Sequence, residues 1–341
     1  MAHLFQPLRL RNVELANRIA VSPMCQYSCI DGLANEWHLV HLGGRAVGKA
    51  ALVMAEATAV MAEGRISPKD LGIWSDAHIE PLQRVFSFVA GHGAVPGIQL
   101  AHAGRKASTS EPWKGGRPVS PEEGGWTPIF APSAIAFNEG FQAPQAMTVA
   151  EIAGVVQAFA TAAQRSEAAG AKVIEIHSAH GYLLHSFLSP LTNHRDDEYG
   201  GTFENRTRAL REVVAAIRKV WPEQYPLFVR ISASDWMEGG WMVEDSVALA
   251  KALKSLGVDV VDCSSGGAVP QAKIPLGPGY QVAFAQRIRC GAAIATGAVG
   301  MITDPAQADQ IIRTGQADLV FLARQLLREP YWPLHAARAL G

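Results

Sequence analysis

Eight short runs of β-branched and other apolar residues, with helical patterns between most of them, constrain this chain more than any other feature. They lie at Arg18–Pro23, Ala51–Thr58, Val95–Ala101, Lys172–Ser178, Leu227–Ala233, Val258–Ser264, Ala293–Gly297 and Asp318–Ala323. Thr148-Val149-Ala150-Glu151 is a capping box, after which Ile152, Val155, Val156, Phe159 and Ala163 recur at helical spacing until Gly170 offers a stop. Leu210, Val213, Val214 and Ile217 mark the next helix, and Val247, Ala250, Leu253 and Leu256 another that ends at Gly257. Asp304 followed by Pro305 reads as an N-cap with proline at the first helical position, and Gly315 closes that helix.

Strand–helix alternation of this kind predicts an α/β chain, a TIM (β/α)8 barrel of parallel strands. Such barrels take about 250 residues, more with insertions, and this chain has 341 residues, 48% of them hydrophobic. The competing architecture is a doubly wound open sheet. No G-x-G-x-x-G follows the first run, which argues against the dinucleotide-binding form of that sheet. The third and fourth runs are far apart, and the excess, about 105–147, is rich in Gly and Pro. It reads as an excursion over the barrel mouth between strands three and four, within one domain spanning 1–341.

A formal net charge of −1 provides no global field for nucleic acid or an anionic membrane surface. No run reaches the roughly 18 apolar residues of a membrane span, and the first residues lack the apolar core of a secretion signal. The four cysteines, Cys25, Cys29, Cys263 and Cys290, form no C-x-x-C pair and fit free thiols in a reducing, cytoplasmic setting.

Barrel enzymes carry their chemistry at the carboxyl ends of the strands. That rule gathers Ser22, Pro23, Met24, Cys25 and Tyr27 at the first strand, Ala57 at the second, and Gln99, His102 and Lys106 at the third. The fourth ends in Ile176-His177-Ser178-Ala179-His180-Gly181-Tyr182, two imidazoles and a phenol able to hydrogen-bond a carbonyl oxygen and deliver a proton beside it. Residues three apart face opposite sides of an extended strand, so His177 and His180 share a pocket only if the chain curls there, as Gly181 permits. Otherwise one is a core histidine bonded to backbone. With His102, His185 and His194 nearby, a metal-dependent hydrolase is a rival reading, although no H-E-x-x-H spacing appears and no metal is expected. Arg230, between Phe228 and Ser232, needs an anion: either a buried partner, for which strand parity suggests Glu175, or a cofactor gaining negative charge. Gly297, Gly300 and Arg324 follow strands seven and eight, where barrels often bind phosphate.

Together these residues resemble the Old Yellow Enzyme family of FMN-dependent ene-reductases, and most closely its bacterial thermophilic-like branch. The similarity runs from Leu4-Phe5-Gln6-Pro7 to Pro330-Tyr331-Trp332. It rests on Ser22-Pro23-Met24-Cys25-Gln26-Tyr27, on Gln99 through Lys106, on Phe187-Leu188-Ser189-Pro190 with Asn193-His194-Arg195, on Tyr199-Gly200-Gly201, on Phe228 through Ser232 and on Thr296 through Gly300. The resemblance implies that Ser22, Pro23, Met24, Cys25, Ala57 and Gln99 contact FMN, and that Arg230 stabilises the charge of its reduced ring. Gly300, Ala323 and Arg324 would hold its phosphate. His177 and His180 would bind the substrate oxygen, Tyr182 would donate a proton, and Tyr27 would shape the substrate site. It further implies NADPH or NADH as hydride donor, an unsaturated carbonyl or nitro compound as substrate, and a homo-oligomer, dimer or tetramer. A flavin-binding protein without turnover is the other rival. Two positions depart from the family: Ala323 stands where relatives usually have glycine, and the tail that in branch members reaches a neighbouring subunit has no counterpart after Gly341.

Overall fold

The chain enters through a hairpin that the sequence pattern did not signal. Its strands β1 (Leu8–Leu10) and β2 (Val13–Leu15) pair antiparallel and are only three residues each, too short for alternation to show. The computed structural model describes residues 2–341. All eight expected strands are present, as β3 (Ile19–Val21), β4 (Leu52–Ala59), β5 (Val95–Ala101), then β8 (Val173–Ser178), β9 (Leu227–Ser232), β10 (Val260–Ser264), β11 (Ala295–Ala298) and β12 (Leu319–Leu322). They pair in chain order, all parallel, and β12 closes on β3 to make a barrel. Between β5 and β8 a small ladder of β6 (Phe130–Ala131) and β7 (Gln145–Ala146) lies within the Gly/Pro-rich segment.

The helices are α1 (Glu36–Val47), α2 (Ile79–Gly91), α3 (Val149–Ala168), α4 (Leu183–Leu188), α5 (Phe203–Arg206), α6 (Arg208–Val220), α7 (Val243–Ser255), α8 (Val282–Ala292), α9 (Pro305–Arg313), α10 (Arg324–Arg328) and α11 (Trp332–Leu340). Their ends follow the caps read from sequence. The Thr148 side chain accepts from the Glu151 amide, and Asp304 accepts from the Gln307 amide. On α7 the buried stripe is Leu249, Ala250 and Leu253, so the face sits slightly rotated from the one the spacing suggested.

Strand parity divides the core in two. Outward residues such as Ile174, Val229 and Val261 pack under the helices. Inward residues at the lower end, among them Leu52, Met54, Phe228, Val260 and Phe321, form a second cluster with Leu10, Val13 and Leu15 of the β1–β2 hairpin, which plugs it from below. Each such side chain contributes about 1.5–3 kcal/mol on burial. The apolar layer makes the lower half of the barrel solid, and polar side chains take over toward the carboxyl ends of the strands.

Candidate active site

The curl needed to bring His177 and His180 together is present, and it begins one residue earlier than Gly181. His180 itself has a φ of 60° and Gly181 a φ of 75°. A left-handed non-glycine residue costs on the order of 1–3 kcal/mol and persists only when its surroundings fix it. Here they do. The His180 amide donates to Ser232 Oγ at 2.9 Å, its carbonyl accepts from Lys106 Nζ at 2.7 Å, and the Gly181 amide donates to His185 Nδ1 at 2.8 Å. A side chain on Gly181 would lie 2.0 Å from the Gly267 carbonyl oxygen, so only glycine fits this approach.

The turn leaves His177 Nε2 and His180 Nδ1 3.4 Å apart, with the ring planes at 86°. Burial, then the Arg230 charge, pushes both imidazoles well below their ordinary pKa, so both are neutral at physiological pH. Tyr182 follows as the N-cap residue of α4, its ring edge-on to His177 with centroids 4.9 Å apart. It packs beside Ala103, Ala107, Ile129 and Trp126, so burial raises its pKa and keeps the phenol protonated.

The end of β3 supplies the opposite wall. Ser22 is buried and bonded through its amide to the Leu322 carbonyl, while Pro23, Met24, Cys25 and Tyr27 are part-buried. Burial, Asp70 and Glu56 push the Cys25 thiol up, with the Tyr27 hydroxyl and the Ala57 main chain opposing the shift. Cys25 is therefore a thiol, not a thiolate nucleophile. A bulge between Ala55 and Ala57 makes Glu56 the extra residue of β4 and sets Ala57 in register with Gln99. The bulged carboxylate is used: Glu56 accepts from the Gln26 amide at 2.9 Å and meets His38 at 3.2 Å, which fixes the turn carrying Cys25 and Tyr27.

Arg230 corrects one expectation. Its ion-pair partner is Asp262, its register neighbour on β10, at 3.0 Å, although the contact lacks the alignment of a hydrogen bond. Glu175 instead accepts from Gln99 Nε2 at 2.7 Å. Parity was correct but incomplete, because inward positions on both neighbouring strands satisfy it. The Arg230 charge acts on both buried carboxylates, but only Asp262 is in ion-pair contact with it. Burial, then Asp262, raises Glu175 to about 8, and burial raises Asp262 to about 6.

A cavity of about 340 Å³ opens at the carboxyl ends of β9 to β12, lined by Arg230, Ser264, Gln281, Gly300, Ala323 and Arg324 among others. Gly300 has a φ of 118°, and a side chain there would meet Gln281 and Tyr280 below 3.0 Å. Arg324 is exposed at the cavity and makes no ion pair among the described residues. Ala323 caps α10 and lines the same space. Unpaired cationic charge beside a glycine-bared backbone fits a phosphate-bearing ligand, so these residues fit FMN.

The other expected site residues do not line this cavity. Ala57 and Tyr182 border a separate void of about 10 Å³ with Asp70. The three further histidines disperse. His102 accepts from the Gly104 amide, His185 pairs with Asp235 at 3.0 Å, and His194 lies beside Ser133 through its amide. No group of three or more His, Cys, Asp or Glu is placed to hold a metal among the described residues. The sequence reading gave no role to Asp262, Ser264 or Gln281; only Asp262 had a usable signal, a strand parity that matches an inward Arg230. No described helix is long and apolar enough to cross a membrane.

Comparison with known proteins places the chain in a family. The chain is 54% identical over 340 residues to the NADPH dehydrogenase of Geobacillus sp. strain WCH70, covering 99% of this chain and 94% of that one. Among solved structures, morphinone reductase superposes with a TM-score of 0.83 at 25% identity, covering 99% of this chain and 90% of the other. A 2-naphthoyl-CoA reductase in complex with 2-naphthoyl-CoA gives a TM-score of 0.89 at 25% identity, and this chain spans 52% of that one. The NADH:flavin oxidoreductase / NADH oxidase family model matches residues 3–340. With its parallel barrel, its paired histidines and its phosphate-suited cavity, the chain belongs to that FMN-dependent oxidoreductase family, as its resemblance to the Old Yellow Enzymes implied.

Proposed function

We propose that this oxidoreductase reduces carbon–carbon double bonds activated by a carbonyl or nitro group, with NADPH, the donor named for its relatives, or NADH as the source of reducing equivalents. The observation that carries the reading is the convergence of His177 Nε2 and His180 Nδ1, 3.4 Å apart, beside the Tyr182 phenol. FMN, when bound, supplies hydride accepted from the nicotinamide. Ser22, Pro23, Met24, Cys25, Ala57, Gln99 and Arg230 would hold its ring system, and Gly300, Ala323 and Arg324 its phosphate.

The chain's own residues then do three things. His177 and His180 bind the substrate oxygen and stabilise the negative charge that develops on it; preorganised donors of this type are worth about 3–4 kcal/mol each. Because both rings are neutral, they act as hydrogen-bond donors and not as acids. Tyr182 gives its proton to the α-carbon, and solvent restores it. The raised pKa keeps that proton on oxygen until the carbon demands it. Tyr27, edge-on to Trp113 at 5.5 Å, shapes the outer wall of the substrate site.

The test is purification with FMN followed by anaerobic turnover of NADPH against cyclohexenone, N-methylmaleimide and a nitroalkene. Stoichiometric formation of the saturated ketone, succinimide or nitroalkane from at least one of these is expected. A colourless protein that cannot be reconstituted, or a yellow one that oxidises NADPH without reducing any alkene, overturns the proposal.

A further inference from the structure

His177 and His180 can both donate to one oxygen only if each neutral ring carries its proton on the nitrogen facing the site, Nε2 of His177 and Nδ1 of His180. For His177 the main chain decides. Its Nδ1 accepts from the Ala179 amide at 3.2 Å, so the proton is on Nε2. For His180 the deciding contact lies on another strand. His180 Nε2 meets Ser264 Oγ at 2.7 Å, and Ser264 is the last residue of β10.

A serine hydroxyl has one proton to give, and the alternatives here are few. Besides His180 Nε2, the acceptor within reach of Ser264 Oγ is Gln281 Oε1, at 3.4 Å. That oxygen already accepts from the Ser265 hydroxyl at 2.6 Å, and the Gln281 amide nitrogen donates to the Val299 carbonyl at 3.0 Å, which leaves the 3.4 Å contact the weaker of the two. The shorter line, 2.7 Å against 3.4 Å, runs to the imidazole. A hydroxyl donating along it makes Nε2 an acceptor and places the His180 proton on Nδ1. Without a ligand the two protonated nitrogens would face each other at 3.4 Å, a contact that a ligand oxygen accepting from both relieves.

We propose that Ser264 is a positioning residue for this reaction: by donating to Nε2 of His180 it selects the Nδ1–H tautomer that a substrate oxygen requires. Logic of this kind, a second contact choosing which imidazole nitrogen is protonated, is general to histidine sites. The proposal rests on the reading of His177 and His180 as donors to the substrate oxygen. It extends the substrate site to a strand that none of the sequence motifs singled out for it.

The test uses FMN-loaded protein labelled with 15N at histidine. Imidazole 15N spectra at pH 8 are recorded, with His180 assigned from its disappearance in His180→Gln. In the wild type, His180 should show a protonated Nδ1 and an unprotonated Nε2. Ser264→Ala should lose that preference, and Ser264→Thr, which keeps the hydroxyl, should retain it. The dissociation constant for cyclohexanone, an unreactive ketone titrated through the flavin absorbance, should rise about tenfold in Ser264→Ala and stay within threefold in Ser264→Thr. A wild-type His180 protonated on Nε2 overturns the proposal. So does a Ser264→Ala protein whose spectrum and ketone affinity are unchanged, or one that loses FMN while the His180 spectrum of its apoprotein stays as in the wild type. His177→Gln is the control. If it binds the ketone as tightly as the wild type, the donor reading itself falls. If it weakens binding and Ser264→Ala does not, only the role of Ser264 falls.

Discussion

The ammonium of Lys106 donates to the carbonyl oxygen of His180 at 2.7 Å and to that of Gly267 at 2.8 Å, bolting the two-histidine turn of β8 to the loop after β10. The two backbones lie so close there that a side chain on Gly267 would sit 2.7 Å from His180. Lys106 sits one turn beyond β5, so three strands contribute to the geometry of one imidazole.

Replacing Lys106 with methionine removes both bonds and leaves two carbonyls unpaired, at about 1–3 kcal/mol each. Burial, then Arg105, lowers the Lys106 pKa from 10.5 to about 7. Between those values the unfolded chain binds the extra proton, so this lysine makes the folded state gain stability as pH rises through that window. Lys106→Met should melt lower than the wild type, and the gap should widen from pH 7 to pH 10. Thermal unfolding at those two pH values checks this. A gap that does not widen would mean the buried lysine keeps its ordinary pKa and stays charged.

The opposite sign holds for Glu175. Its pKa is raised from 4.5 to about 8 by burial and by Asp262, so its contribution to stability is complete below 4.5 and is lost as pH climbs through 8. Glutamine keeps an acceptor for Gln99 and cannot ionise. Glu175→Gln should therefore lie near the wild type at pH 5 and exceed it at pH 9, by up to about 5 kcal/mol at roughly 1.4 kcal/mol per unit of pKa shift. Denaturant midpoints at the two pH values measure it. Equal stability at pH 9 would show that Arg230 compensates both carboxylates at once.

Gly300→Ala tests the phosphate side of the cavity. At a φ of 118° a β-carbon would lie 2.8 Å from Gln281 Nε2 and 2.9 Å from the Tyr280 ring. Strain of about 1–3 kcal/mol is expected from the backbone alone. FMN affinity, measured by equilibrium titration of apoprotein, should fall at least tenfold, while the fold persists by circular dichroism. Unchanged affinity would remove Gly300 from the cofactor site.

The barrel was legible because each strand is a run of inward and outward apolar residues bounded by turn residues, and parity could be read off directly. Parity also pointed to a buried partner for Arg230. It could not choose between Glu175 on β8 and Asp262 on β10, since that choice depends on stagger across the barrel. The left-handed His180 was hidden for a different reason. Gly181 beside it advertises the turn, but the bonds that hold His180 come from Ser232 and Lys106, 52 and 74 residues away. Ser264 carried no signal at all, because a serine at a strand end has many uses and only its 2.7 Å contact with His180 distinguishes this one. Glu56 visibly interrupts the apolar stretch from Ala50 to Ala62, but nothing local marks it as an inserted residue, because the bulge is defined only by pairing with β5.

Tyr182→Phe should separate the two halves of the reaction. The ring can stay in place, because its contacts with His177 and with the Ala103, Ala107 and Ile129 cluster are made by carbon. What disappears is one hydroxyl, beside the imidazole pair that holds the substrate oxygen. Polarisation by His177 and His180 survives, as does the cavity around Arg230 and Arg324, so flavin reduction by NADPH should stay within about twofold of the wild type. The α-carbon loses its proton donor, a contribution of roughly 10²–10⁴-fold for positioned general acids. Solvent recovers part of that, and a loss at the lower end of the range is expected in single-turnover reduction of cyclohexenone. A quinone, which needs no proton on carbon, should be affected far less. If both half-reactions slow alike, Tyr182 acts through packing against His177 and not as the acid, and the proton must reach the α-carbon from solvent.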